Sequence, residues 1–399
     1  MLAQLRLRCA SQMDAKNSNG RRNYTLRRWA LCIMLVCSHP AFAEQTSQQS
    51  DRLLGLPAFE PDLSPDERSD KANLGARLFF DKRLSADGTV SCGKCHLPDQ
   101  AFSDGLPRSK GRADREGTRN APSLLNVAYV QPLFWDGRAA DLASQARAPF
   151  TNPVEHGLAD EDVLLRMVTD DAAYAKDFAR IFRVAPAAIR IDMITAALVA
   201  FEHTLLAGGS PFDRFFYAKD GSAMSAQAVR GFELFKGRAG CVGCHSIGKD
   251  ASLLSDQEFH MAARGLPTAA TENLAEIAEK VVIAKQSVNT KELETLIATD
   301  RNVAALGRFV ATLAPADIGK FRTPSLRNVA LTAPYMHDGS VNTLEEAVDL
   351  ELYSRGVVAH PIILTRSEKG DLVEFLKALS SSDRSIEIAI QASNTAPKL

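Results

Sequence analysis

The sequence is short of the features that would mark a membrane, disulfide-framework or nucleic-acid protein. Its one concentrated apolar run, WALCIMLVC at residues 29–37, has nine residues, and no later run approaches the roughly 20 that span a bilayer. No basic patch interleaved with aromatics argues for nucleic acid as a partner. Strand-type alternation is scarce. Beyond residue 43 only four cysteines remain, Cys92, Cys95, Cys241 and Cys244, together with a single tryptophan, Trp135. Hydrophobic content of 45% and charged content of 24% are ordinary globular values and exclude a disordered chain. At 399 residues there is room for two domains, each with its own core.

Residues 1–43 differ from the rest. The basic stretch RRNYTLRR (21–28) precedes the apolar run, and Ala41-Phe42-Ala43 fits a small-x-small cleavage pattern. This reads as a secretory signal peptide cleaved after about Ala43, with a long front end that a start at Met13 would shorten. It holds seven Lys/Arg and one acidic residue, so its removal takes the formal charge from −1 to −7. The expected mature protein is acidic and periplasmic, without a transmembrane segment; an uncleaved anchor is the alternative.

The four remaining cysteines would ordinarily suggest two disulfides outside the cytoplasm. Their spacing says otherwise. They form Cys92-Gly-Lys-Cys95-His96 and Cys241-Val-Gly-Cys244-His245, the C-x-x-C-H pattern that attaches c-type haem. Two thiols meet one porphyrin edge, and the adjacent imidazole lies beneath the iron. The redox-dithiol and shared-zinc alternatives do not explain why both motifs use every cysteine behind an export signal.

A duplication surrounds the motifs. PSLLNVAYVQPLFWDG from Pro122 and PSLRNVALTAPYMHDG from Pro324 agree at nine of sixteen positions. Upstream stand Gly75-Ala-Arg-Leu78-Phe79 and Gly231-Phe-Glu-Leu234-Phe235. The chain therefore divides into 44–220 and 221–382, two related units in tandem, with a tail at 383–399 expected to be flexible. Pro122 follows His96 by 26 positions, whereas Pro324 follows His245 by 79. Most of that excess, about 263–300, has helical spacing in 272–286 and 289–300 and reads as a surface hairpin on the second unit. Residues 192–206 and 370–381 also read as helices, so the fold class is mostly α.

The stretches LGARLFFDKRLSADGTVSCGKCH, RNAPSLLNVA, FWDGRAADLASQA, NPVEHG, FRTPSLRNV and APYMHDG resemble the bacterial di-haem cytochrome c peroxidases and their relatives around the methylamine-utilisation enzyme MauG. The resemblance runs over residues 53–379. It implies two tandem cytochrome-c-like domains, each with one covalently attached haem c whose iron is held by His96 or His245. The first haem is then the peroxide site and the second the electron-transfer haem. Glu155 matches the distal carboxylate, Gln145 a distal amide, and Trp135 the indole between the porphyrins. The resemblance also implies a calcium ion held by the Asn120 side chain and the carbonyls of Thr332 and Pro334, a set that suits a hard cation.

Two departures from the peroxidase pattern concern the sixth iron position. The loop 107–117, where typical peroxidases carry a ligating histidine, contains none; Arg112 stands there, and guanidinium cannot ligate iron. The first haem is thus expected to be open at rest. At the second haem, the position of the usual methionine holds Glu351, and Tyr353 lies two residues on; either could be the distal ligand, or neither. An anionic oxygen in place of thioether lowers the potential. His156 and His203 are read as structural, Met336 as packing, and His260 as within possible reach of the second pocket.

The reading is a periplasmic peroxidase that reduces hydrogen peroxide at the first haem, with electrons relayed from the second. A small donor protein, cytochrome c or cupredoxin, would supply them, and a homodimer is left open. The alternatives are a MauG-like enzyme that oxidises a side chain of a partner protein, and a non-enzymatic di-haem electron-transfer cytochrome.

Overall fold

The computed structural model describes residues 53–58, 64–287, 291–354 and 362–381; the signal peptide and the tail from 383 lie outside them. No helix among the described residues is long and apolar enough to cross a membrane.

The duplication appears as two crossed helix pairs. Helix Pro65–Phe80 starts at a capping box, in which Ser64 accepts from the Glu67 N–H and Glu67 reaches back to Ser64, with Pro65 in the first turn. It crosses helix Ile191–Glu202 at Gly75, where a Cβ would lie 1.8 Å from the carbonyl oxygen of Ala197. In the second half, helix Ala226–Lys236 crosses helix Arg366–Lys377 at Gly231, and a Cβ there would lie 1.9 Å from the oxygen of Asp371. Only glycine lets the two backbones approach so closely. Each pair closes its own apolar core, one built on Leu78, Phe79, Ala197 and Phe201, the other on Phe212, Phe232, Phe235 and Phe375.

Local chemistry adjusts the expected helix ends. The first closing helix stops at Glu202 because the main chain beyond it serves the Pro-Ser-Leu element. Asn126 donates its N–H to the Leu205 oxygen at 2.7 Å, and its side-chain amide both donates to and accepts from Ala207. The second begins at Arg366, four residues before the apolar pattern, since Thr365 and Glu368 form another capping box.

The described residues of 263–300 are largely helical, and they touch the first half as well as the second. Helices Leu274–Gln286 and Lys291–Thr299 share a third apolar core with Val303, Leu306, Phe309 and Val310. Their polar contacts reach the first half. The Thr118 hydroxyl donates to the Ile297 oxygen (2.6 Å), Arg301 pairs with Glu116, Arg138 with Glu294, and the Lys291 ammonium bonds the Ala159 oxygen. Sequence periodicity shows which face of a helix is apolar, not which neighbour covers it.

Sheet among the described residues is limited to strands Phe259–Met261 and Lys320–Arg322, paired antiparallel, and isolated bridges. A fully buried ion pair ties distant segments together. Arg327 donates twice to Asp213 (2.9 Å each), and also to the oxygens of Ser252 and Gly55. Every polar atom of that pair needs its partner, because an isolated buried charge costs about 3–5 kcal/mol.

Gly75→Ala and Gly231→Ala should each destabilise the protein by about 2–3 kcal/mol through overpacking at a crossing. Alanine at Gly221, which meets no atom within 4 Å, should cost far less. Urea unfolding followed by ellipticity makes the comparison, and equal losses at all three positions would contradict it.

Candidate active site

The Cys92–Cys95 turn brings its two thiols and His96 into the lining of a cavity. Nδ1 of His96 lies 2.9 Å from the Phe102 oxygen. The carbonyl can only accept, so Nδ1 carries the proton and Nε2 keeps its lone pair. The second half repeats this, with Nδ1 of His245 2.9 Å from the Leu254 oxygen. Phe79 and Phe235 lie tilted beside the two imidazoles at 6.4 and 6.5 Å. No disulfide uses any of the four cysteines.

Gln145, Glu155, His156 and Glu202 line the same cavity. The cavity encloses about 50 Å³ and is partly open to solvent. Gln145 lies on helix Leu142–Thr151, started by the Asp141 cap. That helix ends at Asn152, whose side chain organises the next turn: its oxygen accepts from the Val154 N–H (2.9 Å) and its amide donates to Glu155 Oε1 (2.7 Å). Burial pushes the Glu155 carboxyl up to about 7; Arg138 pulls it down and Glu294 adds to the rise.

The loop 107–117 lies against this turn. Arg112 donates its N–H to the Val154 oxygen at 2.7 Å, and Lys94 reaches the Gly111 oxygen at 2.9 Å. A side chain at Gly111 would collide with Val154, and the Arg112 guanidinium lies against Gly157.

Between the halves, the Trp135 indole donates to the Asn120 oxygen (3.0 Å), and the Trp135 carbonyl accepts from the Arg322 N–H (2.9 Å). His337, its counterpart, stacks on Phe321 at 3.8 Å, and its carbonyl accepts from the Asn120 N–H at 2.9 Å. Burial and the neighbouring Arg119 hold the His337 imidazole well below its usual range, hence neutral. The Asn120 amide nitrogen donates to the Leu106 oxygen. Thr332 and Pro334 flank Ala333 at the end of the second Pro-Ser-Leu element. Glu351 is partly buried on helix Leu344–Ser354, whereas Tyr353 is half exposed with the Lys369 ammonium 4.9 Å over its ring. His260 is half exposed and bonds Asp256 (2.8 Å), and both approach the Cys244 thiol.

A sequence profile described as "Di-haem cytochrome c peroxidase" matches residues 69–221. Cytochrome-c peroxidase IdrP1 of Denitromonas iodatirespirans is 34% identical over 365 residues, 89% of this chain and 93% of that one. The methylamine utilization protein MauG of Methylorubrum extorquens is 32% identical over 380 residues, 90% of this chain and 96% of that one. A crystal structure of a MauG-like protein associated with microbial copper homeostasis superposes with a TM-score of 0.62 at 33% identity, covering 82% of this chain and 95% of that one. The chain belongs to the di-haem cytochrome c peroxidase and MauG family.

As a member of that family it is an oxidoreductase acting on hydrogen peroxide, and the family implies two haem c groups. The residues present fit such groups. Each half offers two thiols and an imidazole held through its Nδ1 by a backbone carbonyl. Two buried arginines, Arg119 and Arg322, have guanidinium nitrogens without a hydrogen-bond partner. Such cations are complementary to the carboxylate arms of a haem.

Two cavity residues were not picked out as functional from the sequence. Glu202 is 5% exposed, its Oε2 has no partner, and burial raises its carboxyl to about 8. A carboxylate on the apolar face of the 192–206 pattern was the available signal. His156 was read as structural, and Nδ1 does bond the Leu84 oxygen (2.8 Å), but Nε2 lies 3.8 Å from Cys92 Sγ.

Burial holds the His156 imidazole below its usual pKa. The folded state therefore resists a proton that the unfolded chain accepts, and this contribution to stability is lost as pH falls through the unfolded value near 6.5. In His156→Met the fall in unfolding free energy between pH 7 and 5 should be shallower, by up to about 1.4 kcal/mol per pH unit. Denaturant titrations at several pH values measure this, and identical slopes would contradict it.

Proposed function

We propose that this protein is a periplasmic two-haem peroxidase. Hydrogen peroxide is reduced beside Cys92, Cys95 and His96, and electrons arrive through the haem held by Cys241, Cys244 and His245. Units 44–220 and 221–382 act as peroxidatic and electron-transfer domains. The observation that carries this reading is the cavity that Cys92, Cys95, His96, Gln145 and Glu155 line together.

Haem iron supplies the redox-active electrophile at which the O–O bond of peroxide is broken. Glu155 moves the proton. As carboxylate it accepts one from the near peroxide oxygen, and as acid it returns it to the departing oxygen, which leaves as water. Two electrons and two protons per peroxide yield two waters. A carboxyl near 7 has both forms populated close to neutrality. Asn152 fixes its Oε1, and the Gln145 amide orients the peroxide.

The loop 107–117 supports an open first site at rest, because it offers arginine instead of histidine and is tied to the Val154 carbonyl. Trp135, whose indole bonds Asn120 and whose carbonyl accepts from Arg322 of the other half, suits an electron relay. The bond from the Asn120 amide to Leu106 leaves its Oδ1 for a calcium ion, with the carbonyls of Thr332 and Pro334 as further ligands. Glu351 or Tyr353 is the candidate distal ligand of the second haem. The electron donor is a small cytochrome c or cupredoxin.

The open first site also favours a second reading, oxidation of a partner protein in the manner of MauG. The two differ in how long peroxide-treated protein retains its oxidising equivalents without a donor. Retention for minutes supports the second reading, and loss within seconds the first. A plain electron-transfer cytochrome would instead give two low-spin haems at rest, whereas one high-spin haem in the EPR spectrum counts against it.

Glu155→Gln should lower peroxide turnover by about 10²- to 10⁴-fold with both haems retained. In the native protein kcat/KM should rise with pH through about 7, since only the carboxylate accepts the first proton. The glutamine variant should lack this rise. Normal turnover by the variant, measured by peroxide consumption, would remove Glu155 from its role.

A further inference from the structure

We propose that Glu202 is a second acid of the peroxide site, a buried carboxyl that supplies one of the two protons consumed per peroxide. This rests on the reading of the cavity as the peroxide site and of Glu155 as the group that moves a proton between the two peroxide oxygens.

Glu202 ends helix Ile191–Glu202 and lines the cavity together with Leu198, one turn earlier on the same face. It is 5% exposed, and its Oε2 has no hydrogen-bond partner among the described residues. An unsatisfied polar group in such a place is destabilising, and an unpaired charge there is more so. The carboxyl therefore keeps its proton, and burial alone raises it to about 8.

The duplication shows that the fold does not need this carboxyl. A Cβ at Gly75 would meet the Ala197 carbonyl and the Phe201 Cβ, and one at Gly231 would meet the Asp371 carbonyl and the Phe375 Cβ. The closing helices thus correspond with Ala197 on Asp371 and Phe201 on Phe375, which sets Glu202 against Leu376. Leu376 is 8% exposed and belongs to the apolar core of the second half. Where one crossing carries a packed leucine, the other, beside the cavity, carries an unpartnered acid.

Reduction of hydrogen peroxide consumes two electrons and two protons and yields two waters. Glu155 carries a proton from one peroxide oxygen to the other, so it adds none to this balance. The electrons arrive from the second haem, and both protons come from outside the substrate. Glu202 gives one of them to the oxygen that remains after the first water has left. It becomes carboxylate and is recharged from solvent, to which the cavity is partly open; the other proton comes from solvent directly. Elsewhere in the lining, His156 has its N–H engaged by the Leu84 carbonyl, and Cys92, Cys95 and His96 serve haem attachment. Glu202 is the acid left to do this.

The test uses the di-haem holoprotein with Glu202→Gln and Glu202→Leu, the second copying the residue at the duplicate position. Cleavage of the O–O bond commits the peroxide before this proton is used. Both variants should therefore lose about 10²-fold in kcat, the low end for a positioned acid because solvent reaches the cavity, with kcat/KM for peroxide unchanged. The infrared spectrum of the resting protein gives a readout without turnover. The difference between native protein and either variant should contain the carbonyl stretch of a neutral carboxylic acid. A native kcat in either variant, or a difference spectrum without that band, overturns the inference. So does a joint fall of kcat and kcat/KM, or easier unfolding of both variants in urea, which would make the carboxyl structural. Glu155→Gln separates the two readings, since it should lower kcat/KM itself. If it does so while the Glu202 variants keep the native kcat, only the inference fails. If Glu155→Gln turns over peroxide normally, the role of Glu155 fails and the inference with it.

Discussion

Two reciprocal backbone hydrogen bonds join the duplicated elements of this molecule, and the relation between its two haem motifs depends on them. Asn120 and Arg322 each stand two residues before a Pro-Ser-Leu element, and Trp135 and His337 each stand thirteen residues into one. The Asn120 N–H donates to the His337 carbonyl, and the Arg322 N–H donates to the Trp135 carbonyl, both at 2.9 Å. Each copy thus gives the other the same bond. The exchange is reciprocal because the elements are duplicates, and main-chain groups carry it whatever the side chains are.

Each element is also fastened to its own proximal histidine. Ser123 donates to the Ala101 oxygen and Ser325 to the Leu253 oxygen, 2.6 Å each. The next residue in each case, Phe102 or Leu254, supplies the carbonyl that binds the imidazole Nδ1. A short path of hydrogen bonds therefore runs from His96 through both elements to His245. Rigid placement of two redox centres is what inter-haem electron transfer requires, and the glycine crossings behind each motif fix the helices that support it.

On this symmetric frame the chemistry is asymmetric. The first half has a cavity that Gln145 and Glu155 line together with the motif histidine. At the junction, equivalent positions hold different side chains. The Trp135 indole hydrogen-bonds within its own half, to the Asn120 carbonyl, whereas His337 stacks on Phe321, which in turn receives the Arg119 guanidinium at 4.8 Å. Divergence of side chains on a shared backbone exchange lets one element present an indole and the other a neutral imidazole.

The sequence by itself determined the attachment chemistry, the duplication and the mostly helical class, because each is carried by local spacing: two residues between thiols, a glycine at each crossing, apolar residues at helical period. It also carried Gln145 and Glu155, through motifs long enough to resemble a known family. It did not reveal that Glu202 faces the cavity without a partner, that His156 Nε2 approaches Cys92, or that the insertion docks on the first half. Those facts depend on which surfaces meet, and nothing in the period of a helix names its neighbour. Tertiary structure alone decided the environment of Glu155, because burial and charges drawn from residues as distant as 138 and 294 act through space and not along the chain.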